Sequence, residues 1–409
     1  MGGLWRDPMA QPSRSSLRNP LLRPPQPPPL PKDAHRIIVK VGTNVLTAGG
    51  ERLELEVMGR LVSQVAYLRE QGRQVILVSS GAIAAGRHEL NLGSDKADLA
   101  TRQMLAAVGQ SRLMFAWDQL FRSHGVTVAQ TLLTRSDLSH RQSYLNARNT
   151  LLGLLELGIV PIVNENDVVA VDEIRETQFG DNDLLSALVG ALVDADLLVI
   201  LTDTAGVYTA DPVADPGATL IRRIEREELT SARLAGGPSR SGRGRGGMAT
   251  KVHAARLASD AGVAVVVADG RSPGTLSMLM AGEEVGTYVA PASSRLEARK
   301  RWVAGAAAPR GRVVVDDGAA AALCQRGSSL LPVGVVAVEG RFQRGDVIGV
   351  VDRSGSLLAQ GIVNYGCTEV TTIKGQRSEQ IGELLGYHYG DELIHRNNLA
   401  LVGALGDEK

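Results

Sequence analysis

Cysteine is scarce in this 409-residue chain. Cys324 and Cys367 are too few for a disulfide framework and too far apart for a zinc site, which suits a reducing compartment. Aromatic residues make up 3% against 44% apolar overall, so the interior must be built from Val, Leu, Ile and Ala, the filling of parallel sheets flanked by helices. Net charge is missing as well. Lys plus Arg and Asp plus Glu each total 44, so no global field draws the chain toward nucleic acid or anionic membrane, and such binding must be local. No apolar run is long enough to span a bilayer. No Gly-Lys pair occurs anywhere, which excludes a Walker A loop. Together these absences point to an α/β cytoplasmic enzyme, and the length points to two or three folded units.

Residues 1–33 hold nine prolines and no apolar stretch typical of a secretory signal, so they are expected to be a disordered, dispensable tail. Arg36–Val41 then reads as a β-branched strand, and Val57, Leu61, Val65 and Leu68 recur at helical spacing. Further strands are expected at Val75–Val78, Val126–Leu133, Ile159–Val163, Leu197–Leu201 and Val263–Ala268, with helices over Leu99–Phe121, Asn182–Val193 and Met248–Ala261. Val168–Thr177 has the alternation of a hairpin. The glycine-rich run 236–247 feeds a helix N-terminus in the manner of a lid. Beyond the basic stretch Arg295–Arg301, short strands alternate with glycine turns, the pattern of a small β-barrel. The expected division is a tail over 1–33, a kinase-type unit over 34–300, a linker over 301–310, the barrel over 311–392 and a C-terminal tail over 393–409.

Chemistry concentrates at strand ends. Lys40-Val41-Gly42-Thr43 closes the first strand with a cation and a glycine whose N–H can face a phosphate. A lone lysine there would more simply reach solvent, but Ser79-Ser80-Gly81-Ala82 closes the second strand in the same way, and both open onto one crevice. Asn164-Glu165-Asn166-Asp167 follows another strand, and Gly180-Asp181-Asn182-Asp183 opens a helix. One of these residues serves as a helix cap; the remaining amides and carboxylates suit a zwitterionic amino acid. Leu201-Thr202-Asp203 ends a further strand and leads into a turn-rich segment able to grip a nucleotide. The glycine-rich loop contains a formal G-x-G-x-x-G, but it does not follow a strand, so a dinucleotide fingerprint fails its context. The loop is better suited to cover phosphates, with Lys251 as a second cation.

These pieces, in this order, resemble the amino acid kinase superfamily, in particular its branch acting on the side-chain carboxylate of glutamate. The carrying strings are VKVGTNVL (39–46), VSSGAIAAGR (78–87), LAAVGQSRLM (105–114), LNARNTL (145–151), PIVNENDVVA (161–170), GDNDLLSAL (180–188), ILTDTAGVYTADP (200–212), GRGGMATKVHAA (244–255) and EARKRW (297–302). The resemblance implies a three-layer α/β/α fold on a mostly parallel sheet, with Lys40 and Lys251 stabilising the phosphoryl group in flight and Asp181 holding both lysines. It implies that Ser80, Asn164, Asp167, Asn182 and Asp183 bind L-glutamate. ATP would be bound by Lys40, Gly42, Thr43, Thr202, Asp203, Arg245, Gly246, Gly247, Met248, Ala249, Thr250 and Lys251. Mg²⁺ would ride on phosphate oxygens and water rather than on protein ligands. The products would be L-glutamyl 5-phosphate and ADP, the first step of proline biosynthesis. L-proline as feedback inhibitor, a homodimer or homotetramer, and handover of the product to glutamyl phosphate reductase also follow from the resemblance.

Residues 311–389 resemble a PUA domain, a module that elsewhere binds structured RNA, although Lys374 and Arg377 offer little positive surface for it. Three features depart from the family pattern: Arg245 where a small hydroxyl is usual, a longer 171–179 segment, and the proline-rich tail. Two other readings stay in view: a different carboxylate or carbamate kinase of the same superfamily, and an RNA-binding regulator on an inert kinase fold. The NEND and GDND strings argue against the first, and retention of three charges at the site argues against the second.

Overall fold

The computed structural model describes residues 31–93, 98–170, 181–225, 228–229, 247–292 and 309–401; the side chains of Asp181 and Asn397 are outside that set. The first unit is an eight-stranded sheet in the order β3-β4-β2-β1-β5-β7-β8-β6. Its strands are β1 Arg36–Val41, β2 Gln74–Ser79, β3 Val128–Leu133, β4 Val160–Glu165, β5 Leu197–Thr202, β6 Arg223–Ile224, β7 Ala264–Asp269 and β8 Thr287–Val289. All pairings from β3 to β7 are parallel, and only β7–β8 runs antiparallel. The strands expected from Val/Ile runs lie within two residues of their predicted ends. The short strands β6 and β8 have no sequence signature, because two or three residues carry no periodicity.

The helices are α1 Thr43–Leu46, α2 Leu55–Glu70, α3 Ala82–Glu89, α4 Leu99–Arg122, α5 Arg135–Ser139, α6 Arg141–Glu156, α7 Asp181–Leu192, α8 Met248–Asp260 and α9 Thr275–Ala281. Two cores sandwich the sheet. Ile37, Val39 and Val41 join Leu61, Trp117 and Leu276 in one, while Ile38 joins Leu151, Leu185 and Ala254 in the other. Side chains alternate across a strand, so Lys40 falls on the face of Ile38, where α7 and α8 pack. That alternation decides which helices the lysine can meet.

A second unit has its own five-stranded sheet, ordered β10-β9-β11-β12-β13. It comprises β9 Gly311–Val315, β10 Val335–Gly340, β11 Val347–Val351, β12 Leu357–Ile362 and β13 Leu399–Leu401, with α10 Asp317–Arg326, α11 Cys367–Ile373 and α12 Ile381–Leu385. Val313, Ile348, Tyr365 and Ile394 share its core. The tail expected from residue 393 is, through Leu401, part of this unit: Leu393 and Ile394 are fully buried and β13 pairs with β12. A three-residue strand after the polar run His395–Asn398 has no alternation to read. Leu145 of α6 packs with Val347 and Ile362, and Asn149 donates to the Tyr389 carbonyl at 3.0 Å, joining the two units. The hairpin expected over Val168–Thr177 lies, from 171 on, outside the described residues, as do the lid 236–246 and the linker 301–308.

Candidate active site

β1 lies between β2 and β5, where the strand order turns outward in both directions, the place at which open α/β sheets bind ligands. Lys40 is 5% exposed there, and its ammonium lies 2.5 Å from Asp183 Oδ1. Asp183, two residues into α7, is 1% exposed and also meets Lys251 at 3.3 Å through Oδ2. The Thr250 hydroxyl lies 3.0 Å from the same oxygen and 2.8 Å from the carbonyl oxygen of Gly247, the residue before α8, so its single proton is shared between these two acceptors. The first turn of α8 therefore delivers a hydroxyl and a cation to one carboxylate.

Burial alone would raise the Asp183 pKa; Lys40 and Lys251 outweigh it and hold the carboxyl at about 2. Burial lowers the Lys40 pKa below its usual 10.5, and nearby Lys251 adds to that, while Asp183 opposes both. Two ammonium groups meet one carboxylate in a buried setting, with the charge of Asp203 also acting on Lys40. Such a group attracts an anion whose charge grows during reaction.

Beside the trio runs a chain of amides. Asn182 donates through Nδ2 to Ser80 Oγ and to Asn164 Oδ1, each at 3.1 Å. Asn164, at the end of β4, accepts from the Glu165 backbone N–H at 2.9 Å and donates to Gln110 Oε1 at 2.7 Å. Ser80 precedes Gly81, whose φ of +104° is a left-handed conformation that side chains resist. Gln110 is reached because α3 and α4 cross closely: a Cβ on Gly109 would sit 1.8 Å from the Ala82 carbonyl oxygen, and one on Gly86 would sit 2.0 Å from that of Leu105. Trp117 of α4 donates to Ser79 at 3.0 Å and fixes α4 over the end of β2.

On the other flank, Asp203 after β5 accepts from Asn44 at 2.9 Å and from Thr202 at 3.2 Å. Burial opposes, but these hydrogen bonds and Lys251 hold its carboxyl below the usual range. Arg271 donates to the Asp203 carbonyl. Gly42 adjoins Lys40, and a Cβ there would lie 3.6 Å from the Lys40 ammonium.

The structure thus brings Lys40, Lys251, Asp183, Ser80, Asn164, Asn182, Thr202 and Asp203 to one edge of the sheet. Gly42 and Thr43 follow β1, and Met248, Ala249 and Thr250 form the first turn of α8 after Gly247. Asp167 sits in the turn after β4. Among the described side chains it is Asp183, expected from the resemblance to bind glutamate, that meets both lysines; the side chain of Asp181, expected to hold them, lies outside the described residues. Arg245 and Gly246 lie outside the described residues. Gln110, Asn44 and Arg271 escaped the sequence reading; Gln110 follows a glycine within a helix, the one local hint of a close crossing.

A family model described as "Amino acid kinase family" matches residues 35–269, and a PUA domain model matches residues 311–385. A glutamate 5-kinase of Herpetosiphon aurantiacus is 52% identical over 369 residues, covering 90% of this chain and 99% of its own. Glutamate 5-kinases of Dehalococcoides mccartyi strain CBDB1 and of Photobacterium profundum are 48% and 50% identical, each over 90% of this chain and over 98% and 96% of their own. A solved UMP kinase from Bacillus anthracis overlays 64% of this chain at 15% identity with a TM-score of 0.44, too loose a fit to argue from.

Proposed function

Because this chain belongs to the amino acid kinase family and is matched nearly end to end by glutamate 5-kinases, we propose that it transfers the γ-phosphoryl group of ATP to the side-chain carboxylate of L-glutamate. The products are L-glutamyl 5-phosphate and ADP, at the first step of proline biosynthesis. The observation that carries the reading is the buried trio of Lys40, Asp183 and Lys251 beside the amide chain of Ser80, Asn182 and Asn164.

A carboxylate nucleophile is already ionised near neutral pH, so no general base is needed. What remains is alignment and charge. Lys40 and Lys251 neutralise the phosphoryl oxygens as charge spreads over them, and Asp183 keeps the two ammonium groups from repelling each other apart. Thr202, Asp203 and the start of α8 hold the nucleotide, the α8 N-terminus adding its dipole. Asp181, Asp167, Arg245 and Gly246 stay assigned to the phosphoryl, glutamate and nucleotide sites on the family resemblance.

Among the described residues no three His, Cys, Asp or Glu side chains group to hold an ion. On the family resemblance, Mg²⁺ would be carried on the nucleotide's own phosphate oxygens and water, where it would neutralise part of their charge. L-proline, a zwitterion like glutamate, would compete at the amide chain. An acyl phosphate hydrolyses readily, which favours handover to a glutamyl phosphate reductase. The family resemblance further supports a homo-oligomer and a cytoplasmic setting; no described helix is long and apolar enough to cross a membrane.

Purified protein with Mg-ATP and L-glutamate is expected to give an acyl phosphate trapped as the hydroxamate by hydroxylamine. No hydroxamate from glutamate, alongside turnover of aspartate or N-acetylglutamate, would refute the assignment.

A further inference from the structure

The amide chain has two open ends, and their chemistry can be deduced from one backbone group. The Glu165 N–H donates to Asn164, so the atom facing it must be the Asn164 carbonyl oxygen, and the Asn164 amino group is turned toward Gln110. Gln110 must then answer with its own carbonyl oxygen. Likewise, because Asn164 offers an oxygen to Asn182, Asn182 answers with its amino group, which it shares with Ser80. Every amide orientation follows from that single N–H.

What remains is Gln110 Nε2 and Asn182 Oδ1, both buried and without a partner among the described residues. One is a donor and the other an acceptor. A buried polar atom left unpaired costs on the order of 1–3 kcal/mol, so a pair of them beside a reactive centre fits a site completed by ligand. The lysine trio is at the Asn182 end, since Asp183 is its neighbour, and Gln110 lies at the far end of the chain of contacts.

We infer that Gln110 is a specificity residue that reads the α-carboxylate of the substrate through Nε2, with the α-ammonium donating to Asn182 Oδ1 and the reacting carboxylate directed to the lysines. This rests on the function proposed above and deepens it. Three fixed points along one chain measure the separation of the two carboxylates, which separates glutamate from shorter or α-blocked acids. Gly86 and Gly109 enter the same logic, because only their missing side chains let α4 bring Gln110 within reach of Asn164.

The decisive variant is Gln110→Glu. Its carboxylate still accepts from Asn164 and keeps nearly the same volume, but it sets an oxygen where the amino group stood. The KM for glutamate is expected to rise roughly 10- to 100-fold, as for losing a hydrogen bond to a charged partner, with kcat at saturation and the KM for ATP changed little. The α-amide of glutamate, whose amide can donate to the new carboxylate, should lose far less, so the preference for glutamate over its α-amide collapses. Gln110→Met serves if the first variant does not fold, and should bring that preference toward unity. An unchanged KM for glutamate, or an equal loss on both substrates, overturns the role of Gln110 while leaving the proposed activity intact. Failure of the unmodified enzyme to form hydroxamate from glutamate overturns the activity itself, and with it this inference.

Discussion

Helix α7 is held at each end by a buried ion pair, and the two pairs differ in what gathers around them. At its start, Asp183 stands between Lys40 and Lys251, two cations against one anion. Past its end, Arg148 of α6 meets Asp194 at 2.6 Å and donates to the Leu192 carbonyl, so a guanidinium is matched by a carboxylate and a helix-terminal oxygen. Both arrangements complement the helix dipole, with the anion at the N-terminus and the cation at the C-terminus. The Arg148 pair is closed by the protein itself and serves to hold the helix. The Asp183 trio stands at the strand-end edge beside Ser80, Asn182, Thr202 and Asp203, where a ligand can reach it. Burial and ion pairing alone therefore do not mark an active site; the gathering of further polar groups around the pair does.

The largest expected effect breaks the closed pair. Arg148→Ala leaves Asp194 nearly buried without its guanidinium and should destabilise folding by about 3–5 kcal/mol, read from denaturant midpoints. Turnover per folded molecule should stay close to normal. Loss of turnover at unchanged stability would put Arg148 in the catalytic machinery and erase the contrast. Next comes Lys40→Ala, which should lower kcat by about 10²–10³-fold with little change in the glutamate KM, because its charge matters most as the phosphoryl group is in flight. Equal loss in kcat and in glutamate affinity would give Lys40 a binding role instead.

Sequence pattern made the sheet legible because buried parallel strands are long runs of Val, Ile and Leu, and β1, β5 and β7 differ from expectation by one residue or less at each end. It also exposed the cluster of polar residues at the strand ends. The family resemblance gave the lysines to Asp181 and glutamate to Asp183, and local pattern alone does not tell apart two carboxylates two positions apart at one helix start, of which Asp183 meets both lysines. Nor could it show Gln110, whose place depends on two glycines 23 residues apart, Gly86 and Gly109, meeting at a crossing. Local strings carry strand identity; contacts between helices distant in sequence carry the pocket.

Acid titration sharpens the contrast from the side of the carboxylate. Asp183 is held at about 2 when folded against an ordinary 3.8, so the unfolded chain binds its proton first as pH falls. Its contribution, on the order of 2 kcal/mol, is fully present above about pH 4 and is lost as pH drops through about 2. Stability measured across that window should fall in the parent enzyme, and the slope should shrink in Asp183→Asn. An equal slope in both would assign the acid sensitivity to other carboxylates.

The smallest effect concerns the alkaline side. Lys40 must be protonated to act, and burial places its pKa below 10.5, so kcat should fall with rising pH earlier than an ordinary lysine would dictate. Asp203 raises the Lys40 pKa weakly, through charge alone. Replacing it by Asn removes that support, so the alkaline limb should move to lower pH. Arg148 lies outside this circuit, because it serves the closed pair at the other end of α7, and Arg148→Lys should leave the limb where it was. A limb that moved in Arg148→Lys and not in Asp203→Asn would mean that the two ends of α7 share one electrostatic system, and that the contrast between them does not hold.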